Sequence, residues 1–256
     1  VAKENDILEV FKVTKSFGGL LVLKELSFAI KECEITALIG ANGAGKTTAF
    51  NIITGFCQAD SGKVRFRGKD ICGRTPHDLV RKGIARSFQQ VRLLGELTVL
   101  KNVLLGCQDQ PGEGFSNSLL RPKKVRRQED KNVEWAIQCL EKVGLEEIAD
   151  EIVEELSYPD QKLVNLAQLL ATRCEMLLLD EPASGLDAAS IKKFLGLVKA
   201  LPDRDKTVLV VEHNMSVVEE LADHVLFLHN GEVYARGLYN EIVNQRELGE
   251  LYFGTD

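Results

Sequence analysis

The residues Gly40-Ala41-Asn42-Gly43-Ala44-Gly45-Lys46-Thr47-Thr48 are the first in the chain whose types and spacing point to chemistry. They follow G-x-x-x-x-G-K-T, the pattern of a loop that wraps phosphates. Glycines let the backbone turn tightly and aim its N–H groups inward. A following helix would add partial positive charge at its N-terminus. Lys46 would reach the β- and γ-phosphates, and the Thr47 hydroxyl would hold Mg²⁺. Context separates this from a chance glycine-rich turn. Glu34–Ile39 reads as a strand entering the loop, and Lys46–Ile53 has helical spacing that Gly55 stops.

Two further segments complete the chemistry. The apolar run Met176-Leu177-Leu178-Leu179 ends in Asp180-Glu181-Pro182. A buried strand delivering two carboxylates at its C-terminal edge places them in the ligand crevice of an open α/β sheet. Asp180 would hold Mg²⁺ through a water, and Glu181 would act as general base on an attacking water. A second apolar run, Thr207–Val211, ends in Glu212-His213. His213 would contact the γ-phosphate and orient Glu181 or the water.

These groups need a scaffold of alternating strands and helices. Ile7–Val13 and Leu26–Ile30 alternate apolar and polar residues, as half-buried strands do, and Gly62–Arg67 adds another strand. Thr75-Pro76-His77-Asp78 starts a helix to about Lys82, followed by a short strand at Ile84–Phe88. Thr98–Leu105 reads as helix and 106–121 as loop. The basic run Arg121–Arg127 opens a long helix striped by Val133, Ala136, Ile137, Leu140 and Val143. We read that run as a solvated face rather than a nucleic-acid or lipid patch, and place Trp135 at the core. Helices carrying Leu163, Leu166, Leu169 and Leu170, and then Ile191, Phe194, Leu195, Val198 and Leu201, flank the strand at 176–179. Val225–Leu228 and Glu232–Tyr234 form a hairpin around Asn230-Gly231. Two short amphipathic helical pieces end the chain. The fold class is α/β. A mostly parallel sheet is preceded by an antiparallel β subdomain, with a helical subdomain inserted at about 90–157.

Composition bounds the rest. The 256 residues are 45% hydrophobic and 27% charged, with a net charge of −6. This is ordinary globular protein with an acidic balance that argues against nucleic acid as partner. Six cysteines lie too far apart for a C-x-x-C pair, so reduced, buried thiols in a cytosolic setting are expected. No run spans a bilayer, and the first ten residues do not read as a secretory leader. Any work at a membrane is expected from the cytoplasmic face, through a partner.

The order of motifs resembles the ATP-binding cassette (ABC) ATPases over nearly the whole chain, 1–256 as one such domain. The motifs are the phosphate loop, Phe88-Gln89, Leu156-Ser157, Leu178-Leu179-Asp180-Glu181-Pro182, Ser184-Gly185-Leu186-Asp187 and Glu212-His213. The resemblance implies ATP and Mg²⁺ as ligands and ATP hydrolysis as the activity. It implies that Phe17 stacks on adenine, and that Gln89 joins Mg²⁺ and the attacking water and couples to a membrane subunit. Ser184–Asp187 would cross a head-to-tail dimer interface, and His213 would be the switch histidine. Ser157, Tyr158, Pro159 and Asp160 would face the partner's ATP. Ala85–Gln89, Leu97–Val103, the insert at 106–127 and Glu212–Met215 are similar to the ATPases of branched-chain amino-acid and urea importers. That likeness implies permease subunits at the cytoplasmic face of the cell membrane.

One departure stands out. The family signature is Leu-Ser-Gly-Gly-Gln, or Leu-Ser-Tyr-Gly-Gln in this branch, and the chain has Leu156-Ser157-Tyr158-Pro159-Asp160. Pro159 has no N–H to offer a phosphate, and Asp160 sets negative charge beside one. An asymmetric heterodimer is therefore expected, with one good and one degenerate site. The competing class is a soluble ABC ATPase, for example in iron–sulfur assembly. DNA-repair types carry long coiled-coil insertions, and no sustained heptads lie between Lys46 and Ser157.

Overall fold

The computed structural model describes residues 6–108 and 122–243. Most of the expected loop, the first residue of the basic run and the last helical piece lie outside them. The chain divides into two compact units. The first holds the chain up to Arg86, Glu175–Ser184 and everything from Val198 onward. The second holds Ser87–Cys174 and Gly185–Leu197.

Alternation builds the first sheet. β1 (Asp6–Phe17) and β2 (Leu20–Lys31) pair antiparallel across Gly18-Gly19, and both run longer than the periodicity alone predicts. β4 (Ser61–Phe66) pairs with β1 and with the short β5 (Lys69–Asp70), giving the order β2-β1-β4-β5. Leu8, Val10, Val13, Leu26, Phe28, Ile30, Val64 and Phe66 point inward and are buried.

Continuous apolar runs build the second sheet. Every residue of β3 (Ile35–Ile39), β7 (Met176–Asp180) and β8 (Thr207–Val211) is buried. With β6 (Ile84–Arg86), β9 (His224–His229) and β10 (Glu232–Gly237) they form the order β10-β9-β3-β8-β7-β6. All neighbours run parallel except the β9–β10 hairpin. Its turn residues Asn230 and Gly231 both take positive φ, as a two-residue hairpin of this hand requires. Leu38, Leu178, Leu209, Leu226 and Phe50 share one core cluster with residues of the first sheet. The α/β architecture read from the sequence is the one observed.

Helices α1 (Lys46–Ile53) and α2 (Pro76–Lys82) belong to the first unit, as do α7 (Met215–Leu221) and α8 (Tyr239–Val243). The second unit is helical. It contains α3 (Val99–Leu104), α4 (Pro122–Val143), α5 (Tyr158–Ala171) and most of α6 (Ala188–Lys199). The stretch expected as a helical subdomain, about 90–157, lies inside this unit. Ala136, Leu140 and Val143 of the α4 stripe are buried, whereas Val133 and Ile137 are half-buried. Trp135 is half-buried and donates from Nε1 to the Ala171 carbonyl at 3.2 Å, with Lys142 and Arg173 within 5 Å of its ring. Buried Asn102 closes the turn before α3, accepting from Leu94 N–H and donating to three carbonyls.

All six cysteines are free thiols, but only Cys107, Cys139 and Cys174 are buried. Cys33 and Cys72 are exposed, which corrects the expectation of six buried thiols. Cys33 sits in the turn before β3 with φ 55°, and Cys72 follows β5, so neither reaches a packed face. Among the described residues no helix is long and apolar enough to cross a membrane.

Candidate active site

Sheet register brings the chemistry to one edge. Leu38 of β3 and Asp180 of β7 both lie abreast of Val211 of β8, the strand between them. Gly40 comes two residues past Leu38, Glu181 one past Asp180 and His213 two past Val211. Three adjacent parallel strands therefore end together, with the phosphate-loop pattern, a carboxylate pair and a histidine at their C-terminal side.

The loop after β3 needs its glycines for space as well as torsion. A Cβ on Gly40 would meet the Leu228 carbonyl oxygen at 2.2 Å, and one on Gly45 would meet Leu23 Cδ2 at 2.6 Å. Gly45 has φ 105° and caps α1 with no side-chain hydrogen bond, and the first turn of α1 holds no acid. A helix N-terminus of this kind is suited to an anion. Lys46 Nζ donates to the carbonyls of Gly40 at 2.6 Å and Ala41 at 3.0 Å. Burial pulls the Lys46 ammonium below its usual pKa, and the charges of Glu181 and Asp180 partly restore it. Thr47 is exposed at the same helix start, next to half-buried Thr48. Asn42 and Gly43 are exposed, Ala41 is half-buried and Ala44 is buried.

Glu181 follows β7 with φ 45°, a left-handed conformation that costs a non-glycine residue roughly 1–3 kcal/mol. Its N–H donates to the Val211 carbonyl at 2.9 Å, and its carbonyl accepts from Ser184 N–H at 3.1 Å. The turn aims the side chain at the next strand end, where Oε1 lies 3.7 Å from His213 Nδ1. Buried Glu212 ties these two strand ends together. Its carboxylate accepts from the N–H groups of Ala183, His213 and Asn214. Desolvation pushes its pKa up against those hydrogen bonds.

These observations coincide with what the comparisons find. The family model described as "ABC transporter" matches residues 23–184. The chain belongs to the ABC transporter family. Among relatives of this cassette, the high-affinity branched-chain amino acid transport ATP-binding protein BraF of Pseudomonas aeruginosa is 36% identical over 249 residues. That match covers 97% of this chain and 98% of BraF. The probable branched-chain amino acid transport ATP-binding protein LivG of Methanocaldococcus jannaschii is 35% identical over 253 residues, covering 97% and 98%. A nucleotide-free ATP-binding cassette from an ABC transporter superposes with TM-score 0.85 at 34% identity, covering 98% of this chain and 100% of that one. The ADP conformation of the cassette MJ1267 gives the same TM-score and identity. The chain is an ABC ATPase.

Other predicted positions of this ABC cassette are divided between the two units. Phe17 ends β1 with its ring half exposed and Lys15 Nζ 5.2 Å from its centroid; Asp60 holds that ammonium at 2.7 Å. Gln89 is exposed in the second unit, which also holds the signature segment. There Ser157 caps α5. Its Oγ donates to Asp160 Oδ2 at 2.6 Å and accepts from Asp160 N–H at 3.3 Å. Ser157, Pro159 and Asp160 line a cavity of about 230 Å³ with Leu163, Ser190, Lys193 and Phe194. Gly185, with φ 77°, runs so close to Tyr158 that a Cβ would meet its ring at 2.9 Å. Asp187 caps α6, accepting from Ala189 N–H and from the N–H and hydroxyl of Ser190. Ser184 closes the turn after Glu181 in the first unit, and Leu186 is half-buried in the second.

Two residues of the site, Arg86 and Glu212, were given no role from the sequence. Each is a charged residue at the end of an apolar strand, and that mismatch was the available signal.

Proposed function

We propose that this chain hydrolyses ATP at the edge formed by β3, β7 and β8, and that it drives an importer of branched-chain amino acids or related small polar solutes. Lys46 and the loop N–H groups bind the β- and γ-phosphates, and Phe17 carries the adenine. The oxygen donors Thr47, Asp180 (through a water) and Gln89 suit a hard cation, Mg²⁺. When bound, that ion neutralises developing charge on the phosphates. Glu181 takes the proton of the attacking water, and His213 holds Glu181 and the γ-phosphate in register. The observation that carries this reading is the Glu181–His213 approach, together with a helix start whose first turn carries no acid.

The partner is a second, different ABC ATPase with an intact signature, beside permease subunits at the cytoplasmic face of the membrane. Its signature covers this phosphate loop and makes one good site. The opposite site meets Ser157–Asp160, where Pro159 offers no N–H and the Asp160 carboxylate already holds the Ser157 hydroxyl. That support comes from geometry within this chain. The test is purification of the chain alone and with its membrane complex. Copurification with a polytopic protein and a second ATPase is expected, with turnover slow for the chain alone. Brisk hydrolysis by the isolated chain would overturn the heterodimer. Unchanged uptake of labelled leucine in cells lacking the gene would overturn the solute class.

A further inference from the structure

Arg86 places a guanidinium where its strand neighbours Ile84 and Ala85 are apolar and buried. Its side chain is only 7% exposed. Nη2 donates to Asp180 Oδ2 at 2.7 Å. Nη1 donates to Asn51 Oδ1 at 2.6 Å and to Thr54 Oγ1 at 3.4 Å. The rings of Phe50 and Phe56 lie 5.5 and 5.8 Å from its Cζ. One rigid, planar group thus joins α1, the helix behind the phosphate loop, to the carboxylate that ends β7. The fork geometry matters, because a lysine ammonium is a point charge and cannot hold two acceptors in a fixed plane.

We propose that Arg86 is a positioning residue for the divalent cation of the ATP site, gripping Asp180 from Asn51 so that the carboxylate presents one orientation. The inference rests on the magnesium reading above. Charge and orientation make opposite demands here, which gives the idea a sign. By charge alone, a cation beside Asp180 weakens attraction for Mg²⁺, so removing Arg86 would tighten metal binding. By orientation, removing it frees the carboxylate to rotate, and metal binding weakens. Residues that orient metal ligands typically change metal affinity about 10–100-fold when lost. The buried, doubly anchored fork makes orientation the larger effect.

The experiment titrates Mg²⁺ into the purified full chain with a fluorescent ATP analogue and reads the free Mg²⁺ that gives half of the gain in nucleotide affinity. For Arg86→Gln that concentration rises about tenfold, while affinity without Mg²⁺ stays within about twofold of the parent. For Arg86→Lys the rise is smaller. Asn51→Leu, which leaves the guanidinium in place without its anchor, shifts the midpoint in the same direction by less. These two variants keep the test open if Arg86→Gln does not fold. A midpoint that is unchanged or lower in the folded variants overturns the proposal, and loss of thermal stability alone assigns Arg86 to packing. If the parent chain itself gains no nucleotide affinity from Mg²⁺, the magnesium reading falls first, and this inference with it.

Discussion

Helices α1 and α5 start at the two places where the proposed function puts phosphate, and they start in opposite ways. At α1 the cap is Gly45, which makes no side-chain cap bond, and the first turn carries no acid. At α5 the cap is Ser157, Pro159 removes one N–H, and Asp160 receives the cap hydroxyl. The start of α2 supplies a yardstick with no phosphate role. There Thr75-Pro76-His77-Asp78 makes the same reciprocal pair, Thr75 Oγ1 donating to Asp78 Oδ2 at 2.9 Å and accepting from Asp78 N–H at 3.2 Å. The signature helix therefore begins as an ordinary structural helix does. An N-terminus is worth up to about 2 kcal/mol to a partly buried anion. At α5 the first turn brings its own carboxylate to the cap, and the first turn of α1 has none to bring.

The comparison breaks first at Glu181. Glu181→Gln keeps the shape and removes the proposed base. Turnover of the complex should fall about 10²–10⁴-fold with nucleotide affinity retained. A fall below tenfold would move the proton to another group and remove the functional contrast between the two helix starts. The natural control is Lys46→Ala, which should abolish nucleotide binding as well, because the ammonium is held at the loop by the carbonyls of Gly40 and Ala41.

A smaller effect sharpens the other half. The double variant Pro159→Gly, Asp160→Gln supplies an N–H and removes the carboxylate that the proposed function sets against phosphate. Turnover of the chain alone should rise about tenfold, less than the 10²–10³ that one preorganised donor contributes in a finished oxyanion site. Steady-state phosphate release measures it. No rise would mean that the signature sequence is not what limits the isolated chain.

Much of this contrast was legible in the sequence, because phosphate chemistry binds residue type to spacing. The run Gly40–Thr48 and the pair Asp180-Glu181 follow apolar strands whose continuous burial could be read directly. Strand ends were less legible. β1 reaches Phe17 because β2 pairs with it as far as the Gly18-Gly19 turn, and a Lys15–Asp60 ion pair holds its end. That partner lies far along the chain and leaves no local mark. The same is true of Arg86, whose anchors come from α1 and β7, and of Glu212, whose carboxylate meets the N–H of Ala183. The left-handed turn at Glu181 was hidden as well, since nothing in Asp-Glu-Pro demands positive φ. Pairings made by packing across the fold are invisible to periodicity, which records only which face a residue prefers.

The smallest expected effect tests the yardstick. Thr75→Ala should cost about 0.5–2 kcal/mol, the usual loss for an N-cap hydroxyl, and leave nucleotide binding unchanged. It should also change the acid limb of the stability profile. Asp78 is held below the ordinary carboxylate range, chiefly by the Thr75 hydroxyl and then by the Thr75 N–H. A carboxylate whose pKa is lowered on folding contributes stability that is present above its unfolded value, near pH 4. That contribution is lost as pH falls through the folded value. Removing the hydroxyl brings the two values closer together, so the variant should lose less stability than the parent between pH 5 and pH 3. Thermal melts across that range measure the difference in slope. Equal slopes would show that Asp78 owes its depression to the backbone N–H. The hydroxyl's share of the cap at α2 would then be weaker than its geometry indicates.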